Sequence, residues 1–374
     1  MKKAIVFMPK LSIGGMEKAF VNFIKFSNLT RKYDVDIILG YCENKLFLEE
    51  LQSLNVNVNL ICKGKWNIFS KATSYIKLKL LGLKIKNNYD LSICYSHHHK
   101  ILANLSRAAC KNNACFIHTD LINSRTPDEL HKLLNNLKFD SFSNIVCVSE
   151  HVKNTFCQLY PNYSGNVVVA NNYIDGEYII NESKKEVNDF KFTRKTFINL
   201  SRHEDAHKKI SYIIKSSKKL IDEGYNFDVL LLGDGEDHSY YVKLVDSYGI
   251  RDSIHFIGNK TNPYKYLKNS DAIIVSSAFE GYGIVLDEAR LLNIPIITTD
   301  VADAKKIVNE GYGLLADHSE KGLYEKMKLF LDKGYKIKKE FDYKKFNSKI
   351  TKELDKIFDG GNIWAISKKN LQRK

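Results

Sequence analysis

Short apolar runs alternate with longer segments of helical period along nearly the whole chain. This alternation is typical of strands joined by crossover helices, and it restricts the chain to a parallel α/β fold. Seven strands are predicted in the first half, at residues 4–8, 35–39, 56–61, 91–95, 114–118, 145–148 and 167–170. Six more are predicted at residues 196–200, 229–232, 254–257, 272–275, 294–298 and 313–316. Because helices cover both faces of a parallel sheet, these runs should be buried on both sides.

One polar stretch interrupts the alternation, and the length of 374 residues exceeds what one hydrophobic core usually absorbs. We therefore predict two doubly wound, Rossmann-like domains in tandem. The predicted order is an N-terminal domain at residues 1–175, a linker at 176–194, a second domain at 195–340, and a C-terminal helix with a basic tail at 341–374.

Composition excludes several classes of protein. No stretch reaches the roughly 18 uninterrupted apolar residues that a membrane-spanning helix needs, and the apolar opening after Lys3 is too short for a signal peptide. The seven cysteines contain no Cys-x-x-Cys pair, so neither a disulfide framework nor a zinc ribbon is indicated. These features predict a cytoplasmic protein with reduced thiols.

The formal net charge of +14 is unevenly distributed. Residues 51–115 contain ten lysines or arginines and one acid, Asp90. Within this region, residues 63–86 mix seven lysines with apolar and aromatic side chains, as an interfacial helix on anionic lipid does. An ordinary crossover helix with a solvated lysine face fits the pattern equally well. No RNA or DNA recognition motif accompanies the basic residues, so we expect no nucleic acid partner.

Ligands of open α/β sheets bind beyond the carboxyl ends of the strands, so the segments after each predicted strand were compared. The segment after residues 272–275 places Gly281 and Gly283 just before a helix that opens near Ile284. Its backbone N–H groups and positive dipole end suit a diphosphate. Glu280 and Glu288 flank that site, and acceptor-only carboxylates suit sugar or ribose hydroxyls. For either glutamate alone, a capping or surface role would be the ordinary interpretation.

Two further segments of the second half follow strands. After residues 196–200, Arg202 and Lys208 lie in a loop before a helix, where two cations can grip one diphosphate. A merely solvated loop would also explain them. The turn Gly233-Asp234-Gly235-Glu236 follows the next strand, and a plain turn is an equally good interpretation.

The first half contains weaker signals. Gly14 and Gly15 follow the first strand, but a Gly-x-Gly-x-x-Gly fingerprint is absent, so a dinucleotide-binding site is not supported. His118 ends the fifth strand, where a side chain faces the crevice. The run His97-His98-His99 does not predict a metal site, because adjacent residues at a strand's end point in different directions.

Three features together resemble a known family. Glu280 and Glu288 are separated by seven residues, Arg202 and Lys208 are separated by five, and a glycine loop follows the first strand. In these features the chain resembles the family-4 glycosyltransferases of GT-B fold. The resemblance covers nearly the whole chain and is strongest over residues 276–289. It implies two Rossmann-like domains facing a central cleft, a nucleotide-sugar donor held mainly by the second domain, an acceptor held mainly by the first, and retention of configuration at the transferred sugar.

The resemblance also implies roles for individual residues. Arg202 and Lys208 would bind the donor diphosphate, Glu288 the ribose hydroxyls and Glu280 the hydroxyls of the donor sugar. The N–H groups of Gly281, Tyr282, Gly283 and Ile284 would bind the phosphates. Gly14 and Gly15 would approach the donor phosphate from the opposite domain, and His118 would contact the sugar ring. No cofactor or metal is expected, because the arginine and lysine replace a divalent ion.

Two departures from the family pattern concern the donor-sugar pocket. Lys209 stands where the family usually has glycine, and residues 301–306 lack the Gly-Gly and the glutamate often found there. The resemblance nevertheless predicts a retaining hexosyltransferase that uses a nucleoside diphosphate sugar, with UDP as the first choice of nucleotide. The expected acceptor is a growing, lipid-linked glycan in envelope or capsular polysaccharide synthesis. The enzyme is expected to be peripheral on the cell membrane. A catalytically inactive GT-B scaffold subunit, or a transferase for a protein or soluble acceptor, are the alternatives.

Overall fold

The chain folds into two compact units, each built on one parallel sheet. The computed structural model describes residues 1–12, 14–62 and 68–360. The first unit combines residues 1–173 with the chain from Lys345 onward, and the second contains residues 174–344.

The sheet of the first unit has seven parallel strands in the order β3-β2-β1-β4-β5-β6-β7. The strands are β1 Lys2–Leu11, β2 Tyr33–Cys42, β3 Asn57–Cys62, β4 Leu91–Cys94, β5 Asn113–Ile117, β6 Asn144–Cys147 and β7 Asn166–Val169. In register, Ala4 of β1 lies opposite Val35 on one side and Leu91 on the other. The helices are α1 Gly15–Phe26, α2 Leu29–Lys32, α3 Lys45–Gln52, α4 Ile68–Ile85, α5 Lys100–Ala109, α6 Pro127–Leu137 and α7 Glu150–Leu159, with a 3₁₀ turn at Phe139–Ser141.

The sheet of the second unit has six parallel strands in the order β10-β9-β8-β11-β12-β13. They are β8 Lys195–Leu200, β9 Phe227–Leu232, β10 Ile254–Gly258, β11 Ala272–Val275, β12 Ile296–Thr299 and β13 Gly313–Ala316. The helices are α8 Gly176–Ser183, α9 Asp205–Lys208, α10 Ile210–Asp222, α11 His238–Tyr248, α12 Tyr264–Asn269, α13 Ile284–Leu291, α14 Ala304–Ile307 and α15 Glu320–Lys333, with a π-helical turn at Val308–Tyr312.

All thirteen predicted strands are present, with ends that differ by a few residues. The central strands are buried on both faces, because consecutive residues such as Ile5, Val6 and Phe7 are all inaccessible to solvent. This burial explains why the strands read as continuous apolar runs rather than as alternating ones. The two Rossmann-like sheets of the predicted fold class are therefore confirmed.

The last helix, α16 Tyr343–Phe358, ends where the sequence predicts. Most of it belongs to the first unit, because Ile350, Leu354 and Phe358 join the core formed around β1 and α1. Polar contacts fix its position, among them an ion pair of 2.8 Å between Lys32 Nζ and Asp355 Oδ1. The predicted basic tail from residue 361 lies outside the described residues.

The structure corrects the interpretation of residues 176–194 as a linker. Residues 176–183 form helix α8, whose N-terminus is capped by the Asp175 side chain. The following residues are held to the same unit, since the Tyr266 hydroxyl donates to Asp189 at 2.6 Å and Lys260 Nζ lies 2.7 Å from Asp189. The segment therefore packs on the second unit. A helix of two turns is too short to show helical periodicity in the sequence.

Helix α4 is the described part of the predicted basic segment, of which residues 63–67 lie outside the described residues. Its buried face contributes Leu78 and Ile85 to a core with α5. Its solvent face carries Ile76, Leu80 and Leu83, which are 57, 55 and 78 % exposed. The helix is thus a crossover helix, but one with an exposed apolar stripe. Within the described ranges, no helix has the length and apolar character needed to cross a bilayer.

Candidate functional site

The carboxyl ends of β8 and β11 define the candidate site of the second unit. The strand order runs outward in opposite directions from this pair, which is the position at which ligands of open α/β sheets bind. Two hydrogen bonds join the two loops: the Ser276 hydroxyl donates to Lys208 O at 2.7 Å, and Ala278 N donates to His207 O at 2.8 Å. The topology therefore brings together the two strongest sequence signals.

The central contact of the site joins Lys208 and Glu280. Lys208 Nζ lies 2.5 Å from Glu280 Oε1, and the Ser277 hydroxyl donates to the same oxygen at 2.8 Å. The two charged side chains are only 18 and 16 % exposed, so solvent screens them weakly. Burial by itself would raise the pKa of Glu280, but the charge of Lys208, the neighbouring His207 ring and the hydrogen bonds from Lys208 and Ser277 outweigh burial and lower that pKa. Glu280 is therefore a carboxylate at neutral pH.

His207 supports this contact from one side. Its ring stacks on Phe279, with centroids 4.2 Å apart and an interplanar angle of 7°. Its Nε2–H donates to Phe279 O at 2.7 Å, and Nε2 is 3.8 Å from Glu280 Oε1. Burial and the charge of Lys208 lower the pKa of His207, so the ring is neutral at neutral pH. The stack fixes the backbone on which Glu280 lies.

The turn before α13 has the backbone form that the sequence predicts. Gly283 precedes the first helical residue with φ +80°, a left-handed conformation that favours glycine. The N–H groups of Ile284 and Val285 precede the first hydrogen bond of α13, which Leu286 N donates to Gly283 O at 2.9 Å, and such N-terminal N–H groups can bind an anion. Beside them, the Tyr282 side chain is buried, and its hydroxyl donates to Asp287. Asp287 in turn pairs with Arg290, so this network anchors the turn.

Glu288 lies further along α13 and is buried, with 5 % exposure. The Tyr264 hydroxyl of α12 donates to Glu288 Oε1 at 3.2 Å. Glu288 thus has a defined orientation, and the structure does not bring it into the Lys208–Glu280 contact. Arg202 is also apart from that contact. Its side chain is 72 % exposed and lies 3.5 Å from Glu204.

The predicted residues of the first unit follow β1 and β5. Gly14 precedes helix α1, and a side chain there would meet the Glu17 carboxylate at 2.5 Å. Gly15 is the first residue of α1. His118 follows β5 and is half-buried, with its Nε2–H donating to Tyr95 O at 2.7 Å. Burial lowers the pKa of His118 to about 3, so its ring is neutral and its Nδ1 carries the lone pair.

Both departures from the family pattern lie at strained backbone positions. Lys209 has φ +49°, which explains why glycine is usual at this position. Ala302, in the loop where the family often has glycines, has φ +46°. The chain therefore keeps the loop shape that glycine would favour and tolerates the strain of a side chain at each position.

Sequence reasoning missed three residues of the site: His207, Ser277 and Phe279. His207 and Phe279 are adjacent to predicted residues, and Ser277 lies three residues before Glu280, all in the two segments that follow β8 and β11. Their position after a central strand was the only feature of the sequence that could have identified them. The spacing does not reveal which side chains stack on one another or donate hydrogen bonds.

Comparison with known proteins supports the assignment of the second unit. Residues 180–348 match the family described as "Glycosyl transferases group 1". This range contains Arg202, Lys208, Glu280 and Glu288. The second unit is therefore similar to a glycosyltransferase group 1 domain. The matched range spans almost the whole second unit and begins within α8 of the predicted linker.

Individual relatives cover different shares of the chain. A protein of Methanocaldococcus jannaschii named as a glycosyltransferase is 27 % identical over 48 % of this chain and 43 % of its own length. A Campylobacter jejuni protein is 24 % identical over 96 % of this chain and 100 % of its own length. Its name is N-acetylgalactosamine-N,N'-diacetylbacillosaminyl-diphospho-undecaprenol 4-alpha-N-acetylgalactosaminyltransferase. Three curated relatives, including the Methanocaldococcus protein, are matched over only 43, 65 and 32 % of their own lengths.

Solved structures establish the fold over nearly the whole chain. HepE of Anabaena, solved with UDP and glucose, superimposes with a TM-score of 0.72 and 16 % identity, over 95 % of this chain and 100 % of HepE. At this identity the likeness shows the fold alone. It agrees with the GT-B class that the sequence predicts.

Proposed function

We propose that the chain is a retaining glycosyltransferase that moves a sugar from a nucleoside diphosphate sugar, with UDP as the first choice, to a glycan acceptor. The observation that carries the proposal is the Lys208–Glu280 contact at the carboxyl ends of β8 and β11, beside the N-terminus of α13. A fixed cation, a fixed carboxylate and N–H groups at a helix N-terminus are the groups that a sugar diphosphate needs.

The diphosphate would be held by Lys208, Arg202 and the N–H groups of residues 281–284. A lysine has three donors, so Lys208 can keep its bond to Glu280 while it binds a phosphate oxygen. Each such charge-assisted hydrogen bond is worth roughly 1.5–3 kcal/mol. Because negative charge grows on the diphosphate as the sugar leaves, these groups stabilise the transition state more than the bound donor. This assignment uses no metal ion.

The two glutamates would bind hydroxyl groups. Glu280 accepts hydrogen bonds from Lys208 and Ser277, and the remaining acceptor positions of its carboxylate suit the hydroxyls of the donor sugar. Glu288 would take the ribose hydroxyls, with Tyr264 fixing its orientation. The family resemblance further implies that Gly14, Gly15 and His118 of the first unit contribute to the same reaction and that the sugar keeps its configuration.

Donor binding is the first expected result. In a chelating buffer, at least one of UDP, GDP and ADP should bind in titration calorimetry, with UDP favoured. Glu288→Ala should weaken that binding by roughly tenfold or more, because one charged hydrogen bond is lost. Glu320→Gln, at the start of α15, is the matched control and should bind as the wild type does. If none of the three nucleotides binds, the glycosyltransferase proposal is wrong.

The acceptor is proposed to be a growing, lipid-linked glycan. The name of the Campylobacter jejuni relative includes diphospho-undecaprenol, and a Staphylococcus aureus relative is named for capsular polysaccharide biosynthesis. These names support an acceptor of this class. The charge excess of residues 51–115 supports the same proposal, because anionic lipid attracts lysines at roughly 1 kcal/mol each.

Helix α4 is the element that we propose to contact the membrane. Its stripe of Ile76, Leu80 and Leu83 lies on the solvent face, and Lys79 and Lys84 are exposed on the same helix. Exposed leucines beside lysines suit the boundary between headgroups and acyl chains. The protein should therefore sediment with anionic vesicles but not with zwitterionic ones.

Two variants test that contact. Lys79→Glu with Lys84→Glu should abolish sedimentation with anionic vesicles at low salt, since two charges change sign beside the lipid and the net charge there falls by four units. Lys321→Glu with Lys333→Glu, on α15, makes the same change in net charge in the second unit and should have a much smaller effect. If the wild-type protein sediments with neither vesicle type, a protein or a soluble glycan is the better-supported acceptor.

A further inference from the structure

We propose that His203, His238 and Asp234 form a binding site for one divalent transition-metal ion of the zinc class. His203 lies in the loop after β8, Asp234 in the turn after β9, and His238 at the start of α11. Among the described residues, these three alone place at least three histidine, cysteine or carboxylate ligand atoms within 4.8 Å of one another. The site is independent of the proposed sugar transfer, which requires no metal at the diphosphate.

The distances are close to those of a coordination sphere. His203 Nδ1 and His238 Nδ1 are 3.0 Å apart, and His238 Nδ1 is 4.0 Å from Asp234 Oδ1. Ligand atoms at roughly 2.0 Å from a tetrahedral zinc ion are separated by about 3.3 Å. The two Nδ1 atoms must therefore move apart slightly, and the Asp234 carboxylate oxygen must move toward His238 Nδ1 by less than about 1 Å. The Asp234 side chain is 60 % exposed and can make that movement.

The two rings face each other through their Nδ1 atoms. Their planes differ by only 5°, with centroids 5.2 Å apart, so a rotation of each ring would direct both Nδ1 lone pairs at one ion. Without an ion, a single proton between the two nitrogens makes a hydrogen bond. When an ion binds, that proton moves to the Nε2 of its own ring. For His238 this nitrogen is in a ring that is 37 % exposed, so water can accept the new N–H.

The backbone holds the ligands in place before any ion binds. His203 N donates to Asp234 O and Asp237 N donates to His203 O, both at 3.0 Å. Gly233 has φ +142°, and a Cβ there would lie 1.9 Å from Ser201 O. At Gly235 a Cβ would lie 2.4 Å from His203 O. The two loops are thus packed too closely for side chains at these glycines, which keeps the three ligands at a fixed separation.

Burying the His203 ring costs free energy, because one of its two ring nitrogens is left without a hydrogen-bond partner in the part of the chain that the structure describes. The side chain is fully inaccessible, and its Nε2 has no hydrogen-bond partner among the described residues. An apolar residue of similar size would fill this space without that penalty.

A bound ion would fasten the loop after β8 to the turn after β9. Arg202 directly precedes His203, and Lys208 is in the single helical turn that follows. The ion would therefore stiffen the segment that carries both cations without touching either. The open fourth position would hold water, because two imidazoles and one carboxylate supply three protein ligands.

Cobalt binding tests the site directly. The untagged, full-length protein carrying Cys157→Ser is treated with chelator, dialysed and titrated with Co²⁺, since Cys157 is an exposed thiol that could bind the ion itself. We expect one equivalent to bind with the visible absorption of tetrahedral cobalt, and Zn²⁺ to displace it. Zn²⁺ should also raise the melting temperature of this protein.

Three variants decide the assignment. His238→Ala and Asp234→Asn change partly exposed side chains and should weaken binding beyond the roughly 10- to 100-fold that loss of an outer partner costs. His131→Ala, which removes an exposed histidine of α6, should bind like its parent. The proposal is overturned if the parent protein binds no ion, or if His238→Ala and Asp234→Asn both keep the same equivalent with unchanged affinity.

Discussion

Lys208→Ala should lower kcat/KM by at least about 100-fold, the usual loss when one preorganised donor to a developing negative charge is removed. Lys208 is the half-buried cation of the site, and its contact with Glu280 holds it in one place. The substitution also removes the charge that lowers the pKa of Glu280, so that pKa should rise. The loss of the Lys208 cation and the rise in the pKa of Glu280 both alter the pair that we expect to contact the donor.

Steady-state kinetics with the donor that calorimetry selects would measure the loss. Lys209→Gly is the matched control: it removes the adjacent cation, and glycine accepts the left-handed backbone at φ +49°. This control should stay within a few-fold of wild type. If Lys208→Ala keeps more than about a tenth of kcat/KM, a loss below roughly 1.4 kcal/mol, Lys208 does not stabilise the leaving diphosphate.

The sheets could be predicted from the sequence because parallel strands are buried on both faces. Runs such as residues 4–8 and 229–232 are apolar at every position, so their pattern does not depend on which side faces the core. Helix α8 was missed for the opposite reason. Its eight residues expose Glu177 and Tyr178 and bury Ile179, a pattern too short to distinguish from a loop. The attachment of α16 to the first unit depends on contacts that are distant in sequence.

The site could be predicted only as parts. Position after β8 and β11 identified Lys208 and Glu280, because the ends of central parallel strands meet at one edge of the sheet. The sequence could not show that the two side chains touch, or that His207 stacks on Phe279 behind them. Arg202 has the predicted position after β8, but its side chain is exposed and lies against Glu204, which position alone does not reveal.

The buried pair of Asp287 and Arg290 should give the largest stability effect in the second unit. Asp287 is 1 % exposed and Arg290 is 7 % exposed. The pair lies directly beneath the turn that we expect to bind phosphate, because Asp287 also accepts the Tyr282 hydroxyl. Arg290→Met would leave a buried carboxylate without its cation. We expect the free energy of unfolding around α13 to fall by about 3–5 kcal/mol.

A double-mutant cycle separates the pair from its surroundings. Asp287→Asn keeps an acceptor for Tyr282, and in combination with Arg290→Met neither charge of the pair remains, so the double variant should recover about 2–3 kcal/mol relative to the sum of the single losses. Hydrogen exchange of the α13 amides in the full chain measures the local free energy of opening. The exposed pair Lys218–Asp222 of α10 is the matched control and should couple by only about 0.3–0.5 kcal/mol. Equal coupling in the two cycles would contradict this expectation, because burial, which makes an unpaired charge costly, is the main difference between the pairs.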